Sequence, residues 1–341
     1  SDCLISDLAC RDFTVNAMVW DPDTGEVIDP FNGKRDLEDR VIRFTGNPED
    51  RITEDPVRMV RACRFAAGLN GTIESESLAA IARHKNRLIS QAAKERLRME
   101  IIKAMAMDRP SQFFFLMQTT GLLEMVFPSL SRCYDLDGGP FHGETVFEHC
   151  MLVGDGLPAR QPMLRLAGFL HDTGKFDAAE VNDGQLTFRG HETCIEAVSH
   201  DLELLRFSNR DSAYILSLIR AHMRPLNGDS SPKAVRRLLA MLKGYDLDFR
   251  DFFRMRICDR RGNLNKAPYT MAEIRVRLGK LLDQVRKDNA LSETDLSISG
   301  RQIMDILRIT EGPQVGRVKR ALLEKVLDSP ELNTPEQLAQ L

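Results

Sequence analysis

Tryptophan and tyrosine are scarce in this chain: one Trp and four Tyr among 341 residues. What remains is a Leu-, Ala- and Arg-rich composition, 43% hydrophobic and 28% charged, that leans helical. No apolar run approaches the roughly 20 residues needed to cross a bilayer, and no signal-peptide pattern is present, which argues against a membrane partner. There is no C-x-x-C. The seven cysteines (3, 10, 63, 133, 150, 194 and 258) are scattered and odd in number. A disulfide framework is excluded, and the expectation is reduced thiols in a cytoplasmic protein. Excess positive charge is also missing. A net charge of -3 excludes a globally basic nucleic-acid binder. It leaves room for local basic clusters, because a phosphate-tracking surface needs basic residues on one face, not a basic total. Three clusters qualify: Arg51, Arg58, Arg61 and Arg64; Lys94, Arg96 and Arg98; and Arg250, Arg254, Arg256, Arg260 and Arg261.

The length suggests two or three domains, without internal repeats or low-complexity segments. Asp12–Val19 alternates as a strand would, Asp21–Gly25 reads as a turn, and Glu26–Ile28 reads as its partner, together a hairpin. From about Thr53 the pattern turns helical, with Thr53 as cap, Glu54 and Asp55 in the first turn, and Pro56 tolerated there. Helices are expected over Leu78–Arg87, Lys94–Met105 and Pro110–Thr120, with loops at 128–143, 182–190, 225–232 and 262–268. The first residue is Ser1 and the first twenty already read as the middle of a domain, so an upstream part is expected to be missing.

Seven histidines are present, at 84, 142, 149, 171, 191, 200 and 222. His149 lies in a helix-like stretch, His171-Asp172 ends the next helix within HDTGK, His191 follows Arg189-Gly190, His222 lies in IRAHM, and Asp259 follows in ICDRR. Neutral imidazoles and carboxylates bind borderline divalent ions, and an adjacent His-Asp pair lets the carboxylate bridge two of them. The series resembles the HD-domain metal-dependent phosphohydrolases. That resemblance implies His149, His171, Asp172, His191, His222 and Asp259 as ligands of a divalent transition metal such as Ni2+, Mn2+, Co2+ or Fe2+. His171 and Asp172 would be catalytic, and Lys175 would contact the substrate phosphate. A minimal site of this kind uses His149, His171, Asp172 and Asp259. His84, His142 and His200 fall outside the pattern.

The first half carries a second set. DLACRDFTVNAM (7–18) is followed by DPFNGKRDL (29–37), EDPVRMVRACRFAA (54–67) and KERLRME (94–100). These stretches resemble the DLxRRDFTxNAM, hinge and EDxxR motifs of the class II tRNA nucleotidyltransferases, the CCA-adding enzymes and bacterial poly(A) polymerases. TGLL with a following Phe-Pro, ISGRQIM and GPQVG extend the likeness over nearly the whole chain. Asp55 and Arg58, three apart, are expected on one helix face, where a carboxylate and a guanidinium together read the Watson–Crick edge of cytosine or adenine. The resemblance implies that use, with Arg61 beside them. It also implies that Arg11 and Asp12 contact ribose and triphosphate, that Asn16 supports that pocket, and that Asp7 is an acidic residue of the catalytic palm. The first Arg of RRD is replaced by Cys10. The family's Gly-rich loop and its metal-binding DxD belong upstream of this motif. Two-metal transfer needs a carboxylate cluster, so the chain as it stands is expected not to add nucleotides.

The expected fold is mainly α. A small α/β palm remnant (1–50) is followed by an elongated, all-helical neck carrying base recognition (51–130), an HD domain (131–265) and an RNA-binding helical tail (266–341). The implied function is tRNA 3′-end maturation with CTP, ATP and Mg2+, joined to a metal-dependent phosphohydrolase site. Two alternatives stay open: a nucleotide phosphohydrolase with a vestigial transferase part, and a non-catalytic tRNA-binding module.

Overall fold

The computed structural model describes residues 2–287 and 289–341. Its fold is mainly α with a small α/β part, and among the described residues no helix is long and apolar enough to cross a membrane. The chain divides into two compact units, residues 1–220 with 261–266 and residues 221–260 with 267–341.

The first unit opens with α1 (Asp2–Ala9). The strand expected over 12–19 does not form. Asn16 Nδ2 donates to the Asp12 carboxylate at 3.0 Å, and Thr14–Asn16 winds into a 3-10 turn, a local side-chain bond competing with the extended form. Only β1 (Val19–Trp20) is left, and it pairs antiparallel with β2 (Val27–Ile28), so the predicted hairpin stands. The Asp12 backbone is fixed instead by residues 43–45: Thr14 N donates to Arg43 O, Thr45 N donates to Asp12 O, and Phe13 bridges Phe44. Helix α2 (Gly33–Glu38) is entered through Asp29, whose carboxylate accepts from the Gly33 and Lys34 amides at 2.7 and 2.9 Å. A Cβ on Gly33 would stand 2.1 Å from Thr14 O, so DPFNG needs its glycine for close approach. Strand β3 (Val41–Ile42) runs parallel to β4 (Thr72–Ile73).

The helix expected from Thr53 is really two. Asn47 caps α3 (Pro48–Glu54), and α4 (Val57–Gly68) starts afresh. Between them Asp55 is extended (φ -152°, ψ 97°), because a proline disfavours the helical conformation in the residue before it. Asp55 and Arg58 therefore do not share a helix face. The helices α5 (Ser75–His84), α6 (Arg87–Gln91), α7 (Lys94–Met105) and α8 (Ser111–Thr119) follow close to expectation, then α9 (Leu123–Val126) and α10 (Pro128–Ser131). The last of these occupies the start of what reads as a loop.

Beyond it come α11 (Val146–Gly156) and α12 (Pro162–Leu170). Strands β5 (Glu180–Asn182) and β6 (Gln185–Thr187) form a hairpin that overlaps the loop expected at 182–190, its turn made by Asp183 and Gly184, both at positive φ. Helices α13 (Glu196–Leu204) and α14 (Asn209–Ala221) complete the set. With tryptophan and tyrosine scarce, phenylalanine fills the core. Phe13 packs tilted against Phe44 and edge-on against Phe65, and the Phe114 ring of α8 lies 4.6 Å from that of Phe169 of α12. Arg165, in α12, is buried and donates to five carbonyls: Met105, Met107, Asp108, Gly154 and Asp155.

The second unit holds α15 (Pro232–Gly244), most of α16 (Phe249–Gly262), α17 (Met271–Arg286), α18 (Gly300–Leu307), α19 (Pro313–Asp328) and α20 (Pro335–Gln340). Ile298, Ile303, Leu322, Val326 and Leu338 form its apolar centre. Arg236 of α15 donates to the Leu327 and Asp328 carbonyls at the end of α19, at 2.9 Å each.

Candidate functional site

Two groups of charged side chains stand out in the first unit. The first surrounds a cavity of about 530 Å³ lined by Cys10, Arg11, Asp12 and Asn16 on one side and Asp55, Arg58, Arg61 and Arg96 on the other. Six of these residues (Arg11, Asp12, Asn16, Asp55, Arg58 and Arg61) are expected from sequence at one nucleotide pocket, and the fold brings all six together. Asp12 is its anchor: Oδ1 accepts from Asn16 Nδ2 and the Phe13 amide, and Oδ2 accepts from Arg61 Nε and Nη2. Arg61 leans in turn on buried Glu100, which also holds Arg64 at 2.6 Å and Lys103 at 2.9 Å. Burial works to raise the Glu100 carboxyl's pKa, but the hydrogen bonds from Lys103 and Arg64 outweigh it and lower it. Burial likewise pulls the Arg61 guanidinium down, and the hydrogen bonds and charges of Asp12 and Glu100 together more than restore it, so Arg61 stays charged.

The far wall is held by pairs that the sequence does not announce. Asp55 sits in a two-pronged pair with Arg96, at 3.0 and 2.6 Å. Arg58 reaches Glu54 at 2.7 Å and donates to the carbonyls of Arg51 and Cys10. Position 10, where the family motif has arginine, thus offers its backbone to Arg58, while the Cys10 side chain is exposed. Asp7 is not among the cavity's lining residues; its carboxylate pairs with Arg11 at 2.9 Å, and both are exposed.

The second group is buried. The α11 helix starts on a capping box in which Thr145 and Glu148 each accept from the other's amide, and this sets the register of His149. His171 ends α12, and Asp172 leads into a 3-10 turn that brings Lys175 Nζ to 2.7 Å from Asp172 Oδ2. A Cβ on Gly174 would fall 2.3 Å from His191 O and 2.7 Å from Cys194 O. The glycine of HDTGK therefore lets the 190–194 turn pack against it and carry His191 inward.

Three imidazoles turn their Nε2 atoms toward one carboxylate. His149 Nε2 is 3.6 Å from Asp172 Oδ2, and His171 Nε2 and His191 Nε2 are 3.5 and 3.1 Å from Oδ1. Behind each ring, Nδ1 faces an oxygen: Gly168 O for His171, Phe188 O for His191 and Glu144 Oε1 for His149, at 2.9, 2.9 and 3.2 Å. A proton on Nδ1 leaves Nε2 with its lone pair, as a metal ligand requires. Burial disfavours charge on His191, but the hydrogen bond and charge of Asp172 outweigh it and raise its pKa. This donor set fits a divalent ion of borderline softness.

His222 and Asp259, the other expected ligands, belong to the second unit. There Arg256 Nη1 donates to both His222 O and Asp259 Oδ2 at 2.8 Å.

Of the histidines outside the pattern, His84 pairs with Glu49. His142, however, lies beside the cluster, its Nδ1 2.7 Å from Glu144 Oε1. Glu144 is a residue that sequence reasoning misses altogether. Burial acts to raise its carboxyl's pKa, yet the hydrogen bonds from His149, His142 and the Leu264 amide bring it down to about 2. Arg96 and Glu100 are also missed; the only signal was their place in KERLRME.

Two family models match the chain: the poly A polymerase head domain over residues 1–43, and the probable RNA and SrmB-binding site of polymerase A over residues 71–133. The A-adding tRNA nucleotidyltransferase of Deinococcus radiodurans is 32% identical over 98% of this chain and 77% of its own length. The CC-adding tRNA nucleotidyltransferase of Thermus thermophilus is 30% identical over 94% of this chain and 73% of its own. Among solved structures, the Bacillus stearothermophilus CCA-adding enzyme in complex with CTP matches 99% of this chain and 73% of its own with a TM-score of 0.64 at 20% identity, a likeness of fold.

Proposed function

This chain belongs to the tRNA nucleotidyltransferase family, and from that premise we propose that the arginine-lined cavity receives the nucleotide to be added to a tRNA 3′ end. The observation that carries the proposal is the convergence of Asp12, Asn16, Asp55, Arg58 and Arg61 on one cavity of nucleotide size. Arg11, an exposed lining residue, would meet the triphosphate together with Mg2+. Asp55 and Arg58 reach the same wall from either side of the Pro56 break, one as acceptor and one as donor, which suits the edge of cytosine or adenine. For a base to be read there, the Asp55–Arg96 and Arg58–Glu54 pairs have to give way to it. Asp7, outside the cavity lining, would serve beside the transferred phosphate. We assign 1–50 to the palm, 51–130 to the base-reading neck, 131–265 to an HD domain and 266–341 to an RNA-binding tail.

The relatives matched over most of their length are named for adding A or CC. Equilibrium binding of CTP and of ATP to this chain is therefore the direct test, with Asp55→Ala as partner variant. Tight binding of one or both, weakened by the substitution, supports the reading. Equal binding by both proteins removes the cavity from the reaction.

The His–Asp group is proposed as a metal-dependent phosphohydrolase or phosphodiesterase site acting on 2′,3′-cyclic or 2′-phosphates. His149, His171, Asp172 and His191 would hold the ion. When bound, such an ion lowers the pKa of a ligated water and polarises a phosphoryl oxygen. Lys175, held against Asp172, supplies the positive charge that meets the substrate phosphate. Hydrolysis of a 2′,3′-cyclic nucleotide with added Ni2+, Mn2+, Co2+ or Fe2+, abolished by chelator, is the assay. No hydrolysis with any of the four ions would sink the assignment.

A further inference from the structure

We propose that Glu144 is a positioning residue that fixes the tautomer and the aim of His149 as a metal ligand, an inference resting on the metal reading of the His–Asp group. His171 and His191 stand at the end of a helix and in a short turn, where backbone carbonyls, Gly168 O and Phe188 O, are within reach of Nδ1. His149 is different. It lies inside α11, where the carbonyl four residues back, Thr145 O, accepts from its own amide, and its ring needs a side-chain acceptor. Glu144, the residue before the helix cap, provides one from a buried position, with Oε1 3.2 Å from His149 Nδ1.

The carboxylate is itself held in place. Oε2 accepts from the amides of Gly143 and Leu264 at 3.0 and 3.1 Å, and Oε1 faces His142 Nδ1 at 2.7 Å as well as His149. With Oε2 so engaged, Oε1 can turn nowhere else. At 3.2 Å it faces His149 Nδ1, where it would accept that atom's proton in a hydrogen bond and leave Nε2 directed at Asp172. A carboxylate behind a ligating imidazole also makes the ligand more basic than a backbone carbonyl does.

Glu144→Gln makes the argument sharp. Two backbone amides require an oxygen at the Oε2 position, so the new NH2 group must occupy the Oε1 position and point donors at His149. The ring would then accept at Nδ1 and carry its proton on Nε2, the atom that should bind the ion. The experiment is titration of Co2+ into the chelator-stripped full chain, followed by calorimetry and by the visible absorption of the bound ion. Wild type should bind. Glu144→Gln should bind with the same stoichiometry but about 10–100-fold more weakly, and His142→Gln should bind as wild type does.

Equal Co2+ affinity in wild type and Glu144→Gln would overturn the role. So would loss of one equivalent of Co2+ in both variants, which would place a cation among His142, Glu144 and His149 instead. A wild type that binds no Co2+ overturns the metal reading itself, and the inference with it. Should Glu144→Gln fail to fold, the nitrogen-15 spectrum of the metal-free wild type decides the matter: the His149 proton is expected on Nδ1, and finding it on Nε2 refutes the proposal.

Discussion

Around Asp12 the charged groups line an open cavity, and most of them are paired with one another. Around Asp172 they are buried, and each imidazole has an oxygen facing its Nδ1. The contrast is one of what must be given up on binding. In the cavity, a nucleotide has to displace the Asp55–Arg96 and Arg58–Glu54 pairs. Those pairs are partly exposed, and pairs of that kind contribute only about 0–1 kcal/mol each. A weakly held partner is easily exchanged, which suits a site that must accept and release nucleotides. In the His–Asp group the pairs an ion would exchange, those of Asp172 with Lys175 and His191, are buried. Its rings are locked before any ion arrives, and ordering cost is met by folding.

The contrast can be broken most directly at Asp172. Asp172→Ala should abolish metal retention by chelator-stripped, reloaded protein, measured by elemental analysis, while CTP and ATP binding stays unchanged; a variant that keeps its metal would mean that the carboxylate is not central. Acid should separate the two regions almost as strongly. A raised His191 pKa means that protons compete with the ion from a higher pH than for an ordinary imidazole. As pH falls through that value the imidazolium is favoured and the ligand is lost. Each proton displaced weakens the ion's affinity about tenfold per pH unit below it. The arginines of the cavity do not titrate in this range, so nucleotide binding between pH 8 and 6 should change far less, as paired titrations at about those two values would show.

Glu100 tests whether the cavity has a rigid component of its own. It is buried beneath Arg61, Arg64 and Lys103. Glu100→Ala leaves three cations without their shared anion, and the cost for a fully buried pair would be about 3–5 kcal/mol. Because the cations are partly exposed, water screens the loss, and a fall of about 2 kcal/mol in urea denaturation is expected. The smallest effect belongs to Arg58→Ala, which should lower the preference for CTP and ATP over UTP and GTP about tenfold, within the range of a good base-edge contact. An unmoved ratio would leave the 54–67 stretch an ordinary helix start.

What was legible in the sequence follows from the range of each interaction. HDTGK was legible because one short stretch carries ligand, carboxylate, lysine and the glycine that admits the 190–194 turn. The cavity residues were legible as motifs, although the reason offered for Asp55 and Arg58 was mistaken. Proline acts on the residue before it, and the break at Asp55 sets the two side chains on separate elements. Glu144 was not legible. It sits outside any helix, and one of its amide donors, Leu264, lies 120 residues away. Arg96 and Glu100 were hidden for the same reason, since their partners Asp55, Arg61 and Arg64 come from another helix pair. The strand expected at 12–19 failed because a single side-chain bond, Asn16 to Asp12, outcompeted a period-two pattern.

Arg165 has a further consequence. Its five acceptors lie where α7 ends, in the link to α8, and near the end of α11. One guanidinium thereby closes off carbonyls that helix ends leave open, and it does so for two helices distant in sequence. Both ends draw on the same buried donor, so displacing Arg165 releases the two together. Opening in this part of the first unit is then a joint event, and the amides of the last turn of α7 should exchange their hydrogens at the pace of those in the last turn of α11.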